Sequence, residues 1–125
     1  MWYREVRWRN RLLVEQALMR ERFPQFVLTR SPVALLVWRG VLEPLKGVLF
    51  EVSVTVPSHY PYVAPELGVE RPQLRAGAPH LYANGALCVH RLNWDPTRGT
   101  VASVLPLAAA WLVGYMNWSR TGEQF

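Results

Sequence analysis

With Cys88 as the one cysteine among 125 residues, no disulfide can form within the chain, and the fold must be held by packing. A lone thiol is either an inert core residue or a reactive centre, and its neighbours decide which. Lysine is almost as scarce, because Lys46 stands against thirteen arginines. Such a chain offers few amines of its own to an amine-modifying reaction. Charges or prolines interrupt each apolar stretch before the roughly 18 residues that a membrane span needs, so no membrane segment is expected. Met1 to Arg11 mixes arginines with tryptophans and has neither the continuous apolar run nor the small-residue cleavage site of a secretory signal. A cytoplasmic protein is expected. Repeats, low-complexity tracts and linkers are also missing, which predicts a single domain over residues 1–125.

What is present is apolar and basic. Half the residues are hydrophobic, six are Trp, and the formal charge is +5. That charge favours an acidic partner, whether nucleic acid, an anionic surface or the acidic face of another protein. From Trp2 to Arg22 there is no Gly or Pro, and Val6, Leu13, Ala17 and Leu18 recur near helical spacing between arginines. One amphipathic helix ending before Pro24 is predicted. Val33 to Leu42 and Val48 to Val56 read as two strands of an antiparallel hairpin joined through Glu43 to Gly47. In the second strand Phe50, Val52, Val54 and Val56 share one face with Val48, while Glu51, Ser53 and Thr55 share the other. One side is therefore buried and the other wetter. Glu66 to Glu70 predicts a third short strand among prolines. After Cys88, Thr100 is a candidate helix cap, and Val101, Val104, Leu105, Ala108, Leu112 and Tyr115 keep helical spacing. Pro106 conflicts with a start at Thr100, unless the helix begins at Ser103 or kinks. The whole is an α+β domain: helix, antiparallel meander, loop around Cys88, helix.

Along that frame lie Tyr60-Pro61-Tyr62-Val63-Ala64-Pro65, then Gly85-Ala86-Leu87-Cys88, then Trp94-Asp95-Pro96. In order and in most spacings these words resemble the ubiquitin-conjugating enzymes, over about residues 2 to 116. In that family a His-Pro-Asn triplet precedes the catalytic cysteine. Here the triplet falls on Ala78-Pro79-His80, with the proline kept and His80 in place of asparagine. Trp94 follows Cys88 at a shorter interval than in typical members, and the usual last helices are missing. The chain is similar in this to short bacterial relatives found in ubiquitin-like conjugation operons.

The resemblance implies that Cys88 takes a ubiquitin-like protein from an activating enzyme as a thioester. The acyl group then passes to an acceptor amine, with or without a ligase, and without a cofactor or metal. A thiol suits the task, because a thioester reacts with thiols and amines yet hydrolyses slowly. It needs no strong activation, since an unperturbed thiol with a pKa of about 8.5 is already a few per cent thiolate at neutral pH. His80 would donate the hydrogen bond that the family's asparagine supplies, and His80, His90 or Asp95 would help the amine lose its proton. Gly85, Leu87 and Trp94 would shape the channel for the modifier's tail, Gly85 by leaving room. Arg4, Arg7 and Arg11 would dock an acidic activating enzyme, with Tyr62 and Pro96 at loop positions that meet partners. Other readings stay open. One is a binding module of the same fold with a buried, inactive Cys88. Another is a small basic nucleic-acid binder stacking bases on Trp2 and Trp8, although no known nucleic-acid signature appears. A zinc site from His80, Cys88 and His90 fits no common spacing.

Overall fold

The computed structural model describes residues 2–89 and 93–125. The chain opens with two short 3-10 turns, Trp2–Arg4 and Val6–Trp8, and only then enters helix α1, Arg9–Arg22. Four strands follow, β1 (Val27–Arg30), β2 (Leu36–Leu45), β3 (Val48–Val56) and β4 (Glu66–Arg71), and helix α2 (Val101–Thr121) closes the domain. The strands form one antiparallel meander in the order β1-β2-β3-β4. α2 packs on the sheet and against α1.

The helix predicted from Trp2 is shorter because two aromatic side chains compete for the core. Trp2 and Tyr3 are both buried, and the Trp2 ring lies 5.0 Å from that of Tyr60. Burying such a ring removes roughly 150–250 Å² from water, on the order of 4–6 kcal/mol at about 25 cal/mol per Å². That outweighs the few tenths of a kilocalorie that each added helical residue supplies. The inward face of α1 is corrected as well. Val6 and Leu13 are exposed, and so is Ala17, whereas Glu15 and Met19 are buried.

The hairpin turn is tighter than predicted. Leu45 pairs with Val48, leaving Lys46-Gly47 as a two-residue turn in which Gly47 has φ +83, a region that costs glycine nothing. Pro44 lies inside β2 at the register shift between Leu42 and Leu45, where a residue without an N–H is tolerated. β1 was not anticipated, because its short run beside Pro24 carries no alternating pattern. In β3 the predicted faces hold at Phe50, Val52, Val54 and Val56, all buried, and Ser53 is buried on the opposite side.

α2 starts at Val101 with Thr100 as its cap. The Thr100 hydroxyl accepts from the Ser103 N–H at 3.0 Å, and the Ser103 hydroxyl accepts from the Thr100 N–H at 2.9 Å. Pro106 sits exposed inside the helix, a turn in from the cap. The predicted stripe of Val101, Val104, Leu105, Ala108, Leu112 and Tyr115 is buried throughout, with Trp111 added. By length and mean hydropathy of 1.3 this helix is apolar enough to cross a membrane, contrary to the expectation from the sequence, but its apolar face covers the sheet.

A buried charge cluster joins these elements. The Glu15 carboxylate accepts from the Tyr60 hydroxyl and, at 3.0 Å, from the Val101 N–H at the start of α2. Arg11 Nε lies 3.6 Å from it. Arg11 also donates to the Tyr60 hydroxyl at 3.1 Å, to the Pro96 carbonyl at 3.3 Å and to the Gly99 carbonyl. Burial pushes the Glu15 carboxyl above its ordinary value, while Tyr60, Val101 and Arg11 pull it back. Burial, with Glu15 beside it, also holds the Tyr60 hydroxyl well above its usual range, so it stays a donor.

Glu15→Ala leaves a tyrosine hydroxyl and a helix N-terminus without their acceptor and Arg11 without its ion-pair partner, and urea denaturation is expected to register a loss of about 3–5 kcal/mol. pH dependence gives a second test. The unfolded chain titrates Glu15 near 4.5 and the folded one higher, so the stability linked to this group is full below about pH 4.5 and lost as pH rises through the folded value. Glu15→Gln lacks that titration. Melting curves from about pH 4 to 7 should show the wild type losing ground to Glu15→Gln as pH rises, and a growing wild-type advantage would contradict this.

Candidate active site around Cys88

Cys88 is exposed, and its position is fixed through the backbone. Its N–H donates to the His80 carbonyl at 2.8 Å, and the same carbonyl accepts from Trp111 Nε1 at 3.2 Å. One step back, Leu87 pairs with Leu81 in an isolated bridge and donates its N–H to the Leu67 carbonyl at 2.9 Å. The extended segment alternates, so Leu87 points into the core and Cys88 outward. His80 adopts φ +58, a left-handed conformation in which asparagine, aspartate and histidine are the side chains most often found. This turn aims the His80 carbonyl at Cys88 and Trp111.

An open cavity of about 360 Å³ lies beside the thiol, lined by His80, Cys88, Val89, Leu107, Trp111 and Phe125, with Ala110 between turns of α2. The lining is mostly apolar. His80 Nε2 is hydrogen-bonded to the backbone oxygen of Phe125. Leu107, Ala110, Trp111 and Phe125 were not anticipated as site residues. The one signal was an apolar surface on α2 wider than the predicted stripe.

Several expected site residues lie elsewhere. Asp95 lines a separate hollow of about 280 Å³ with Trp94, Arg98 and Gly99, and Leu107 stands between the two cavities. Its carboxylate accepts from the Thr97 hydroxyl at 2.7 Å and the Thr97 N–H at 2.9 Å. Those bonds, the hydroxyl first, hold it below the usual carboxylate value and make it a weak base. Its carbonyl accepts from the Gly99 N–H at 2.7 Å, so Asp95 organises its own loop. Leu87 is buried and anchors the segment, so it lines no channel. Gly85 has φ +86, open space where a side chain would stand, and a place on the lining of a hollow of about 320 Å³ with Glu66, Leu67, Asn84 and Ala86. Trp94 donates from Nε1 to the Pro61 carbonyl at 2.7 Å and covers Gly99, whose Cβ would come within 2.3 Å of the indole. It staples the loop after Cys88 to the bend at Tyr60-Pro61. Pro96 offers its carbonyl to Arg11.

Of the three arginines, Arg11 is turned inward to the Glu15 cluster, its side chain keeping 17% of its exposure. Arg4 and Arg7 remain exposed. Arg7 lies over the Trp8 ring, and Trp8 meets exposed Tyr62 edge-on at 5.9 Å. Trp2 is in the core and not free to stack on bases, while Trp8 is half-buried beside these neighbours. His90 lies outside the described residues. Among those described, no three His, Cys, Asp or Glu side chains gather to hold a metal.

A four-stranded meander packed on a capped helix, with an exposed thiol on the loop between them and a tryptophan stapled to the Tyr60-Pro61 bend, defines a domain of the ubiquitin-conjugating type. Two solved structures carry the fold. The yeast vps23 UEV domain, solved in complex with a vps27 PSDP peptide, superposes with a TM-score of 0.59 at 16% identity, over 81% of this chain and 78% of its own. A ubiquitin conjugating enzyme E2 from Plasmodium falciparum gives 0.56 at 18% identity, over 82% of this chain and 96% of its own. No curated protein matches in sequence. The chain belongs to the E2-CBASS family, described as the type II CBASS E2 protein, whose model matches residues 15–124.

If Gly85 serves only its backbone turn, Gly85→Ala should cost about 1–2 kcal/mol in chemical denaturation, the penalty of a left-handed alanine. It should leave the reactivity of Cys88 toward a thiol-labelling reagent unchanged. A loss of labelling rate at unchanged stability would return Gly85 to the channel.

Proposed function

We propose that this chain is a carrier of the ubiquitin-conjugating type: Cys88 accepts a ubiquitin-like protein from an activating enzyme and passes it to an acceptor amine. The observation that carries the reading is an exposed thiol fixed by the His80 carbonyl at the edge of an open, mostly apolar cavity. An inert cysteine would be covered, as free cysteines usually are.

In the first step the Cys88 sulfur attacks the thioester that joins modifier and activating enzyme. The new C–S bond forms as the old one breaks, and the enzyme's sulfur leaves as thiolate. In the second, an amine nitrogen attacks the same carbonyl carbon, the bond to Cys88 breaks, and the amine's proton goes to a base or to water. Apolar walls limit hydrolysis while the thioester waits. Exposed Arg4 and Arg7, beside the Trp8 and Tyr62 pair, supply the basic and aromatic surface for an acidic activating enzyme. A ligase or a direct protein acceptor completes the set of partners.

The second reading is a binding module without transfer activity, favoured by the likeness in fold to a UEV domain. Intact mass separates the two. After incubation with the partner activating enzyme, the ubiquitin-like protein and ATP, the wild type should gain one modifier in an adduct that reducing agent removes, and Cys88→Ala should gain none. If the partners charge each other while Cys88 stays unmodified, the binding module takes its place.

A further inference from the structure

The segment after α2 turns back onto the helix. Gly122 ends α2 with φ +79, and its N–H donates to the Trp118 carbonyl at 2.7 Å. Phe125 then lands on α2, its ring centroid 5.6 Å from that of Trp111 and 5.3 Å from that of His80. Gly114 forms the floor beneath it. A Cβ there would come within 2.3 Å of Phe125 Cδ2, so the ring can sit this close only over a glycine. The backbone oxygen of Phe125 meets His80 Nε2.

A backbone oxygen can only accept, so the proton of this hydrogen bond belongs to Nε2. In the neutral ring Nδ1 then carries a lone pair and no hydrogen. The contact therefore chooses the tautomer, as the outer partner of a metal-bound histidine does. It also revises what His80 offers the site. With its one N–H taken by Phe125, the neutral ring accepts a proton and does not donate to an oxyanion.

We propose that Phe125 is a positioning residue for acyl transfer: it holds His80 at the wall of the Cys88 cavity in the tautomer that presents Nδ1 as proton acceptor to the incoming amine. The proposal rests on the thioester reading and deepens it. The amine nitrogen attacks the thioester carbonyl carbon and the C–N bond forms. The C–S bond breaks with its electron pair on the Cys88 sulfur, and the proton shed by the amine passes to His80 Nδ1. The imidazolium returns that proton to the thiolate or to water. Among the described residues, His80 and Cys88 are the titratable side chains lining the cavity. Arg75, which packs on the same helix, is engaged with the Ser119 carbonyl and the Trp118 ring, and Glu123 on the returning segment is exposed.

The test needs no natural partner. A glycine-terminated hexapeptide, as its 2-mercaptoethanesulfonate thioester, loads Cys88 by thiol exchange. Intact mass then follows aminolysis by n-butylamine between about pH 5.5 and 8.5, the range in which an imidazole changes charge. The same peptide on N-acetylcysteine is the reference. The informative variant is Gly114→Ala, which favours the helix yet evicts the Phe125 ring. Phe125→Ala, His80→Asn and the Gly114→Ala/His80→Asn double variant accompany it.

Wild type should outpace the reference, with a rate that falls as the ring takes up a proton. Gly114→Ala should load normally and transfer about tenfold more slowly at neutral pH, with that acid limb flattened. In the His80→Asn background it should add nothing. Nitrogen-15 spectra of the histidine side chains should show the Nε2–H tautomer for wild-type His80 and a mixture in Gly114→Ala. A wild-type His80 found as the Nδ1–H tautomer overturns the proposal whatever the rates. So does a folded Gly114→Ala with the wild-type rate and pH profile, or equal slowing by Gly114→Ala with and without His80. A wild type no faster than the reference brings down the transfer step of the proposed function, and this proposal with it.

Discussion

The fold depends on a carboxylate placed where water cannot reach it. Glu15 draws together α1, the bend at Tyr60 and the first turn of α2, three segments far apart in sequence. Removing the charge from water costs several kcal/mol, and a tyrosine hydroxyl, a helix N-terminus whose dipole favours an anion and a nearby guanidinium repay part of it, so burial still holds the carboxyl above its ordinary value. Arg11 extends the cluster to the carbonyls of Pro96 and Gly99, and so ties down the loop that follows Cys88. An apolar core would be indifferent to small sliding motions of α1 against α2. A buried ion pair with directed hydrogen bonds is not.

The segment before Cys88 is held from the other side. The His80 carbonyl serves Cys88 and Trp111 together, and Leu87 is locked to Leu81 and Leu67. Trp94 pins the segment after it to Pro61. The thiol is therefore an exposed atom at the end of a segment whose backbone is hydrogen-bonded to the core. The division of labour follows. Leu87, Gly85, Trp94 and Asp95 shape or anchor the loop, and the surface facing the sulfur comes from His80, α2 and the returning Phe125.

Much of this was legible in the sequence where a pattern repeats. The stripe on α2, the alternation in β3, the cap at Thr100 and the order of the short motifs each follow from a fixed period or a local hydrogen bond, and each appears in the fold. α1 was legible as a helix but not as to its face, because its inward residues are Glu15, Met19 and part of Arg11, which no hydrophobic count selects. Within the site, Cys88 stood out by its neighbours. Leu107, Trp111 and Phe125 did not, since a helix surface and a chain segment meet the thiol only after the tail turns back over Gly114.

The sequence by itself determined the α+β architecture, the strand alternation, the last helix and the place of the one cysteine among the short motifs. Tertiary structure decided which charges are buried, that Arg11 binds inward while Arg4 and Arg7 face out, and that His80 Nε2 meets the backbone oxygen of Phe125. The reason is physical. Period and propensity act between residues a few positions apart, whereas desolvation and hydrogen-bond direction are set by whatever the fold brings alongside.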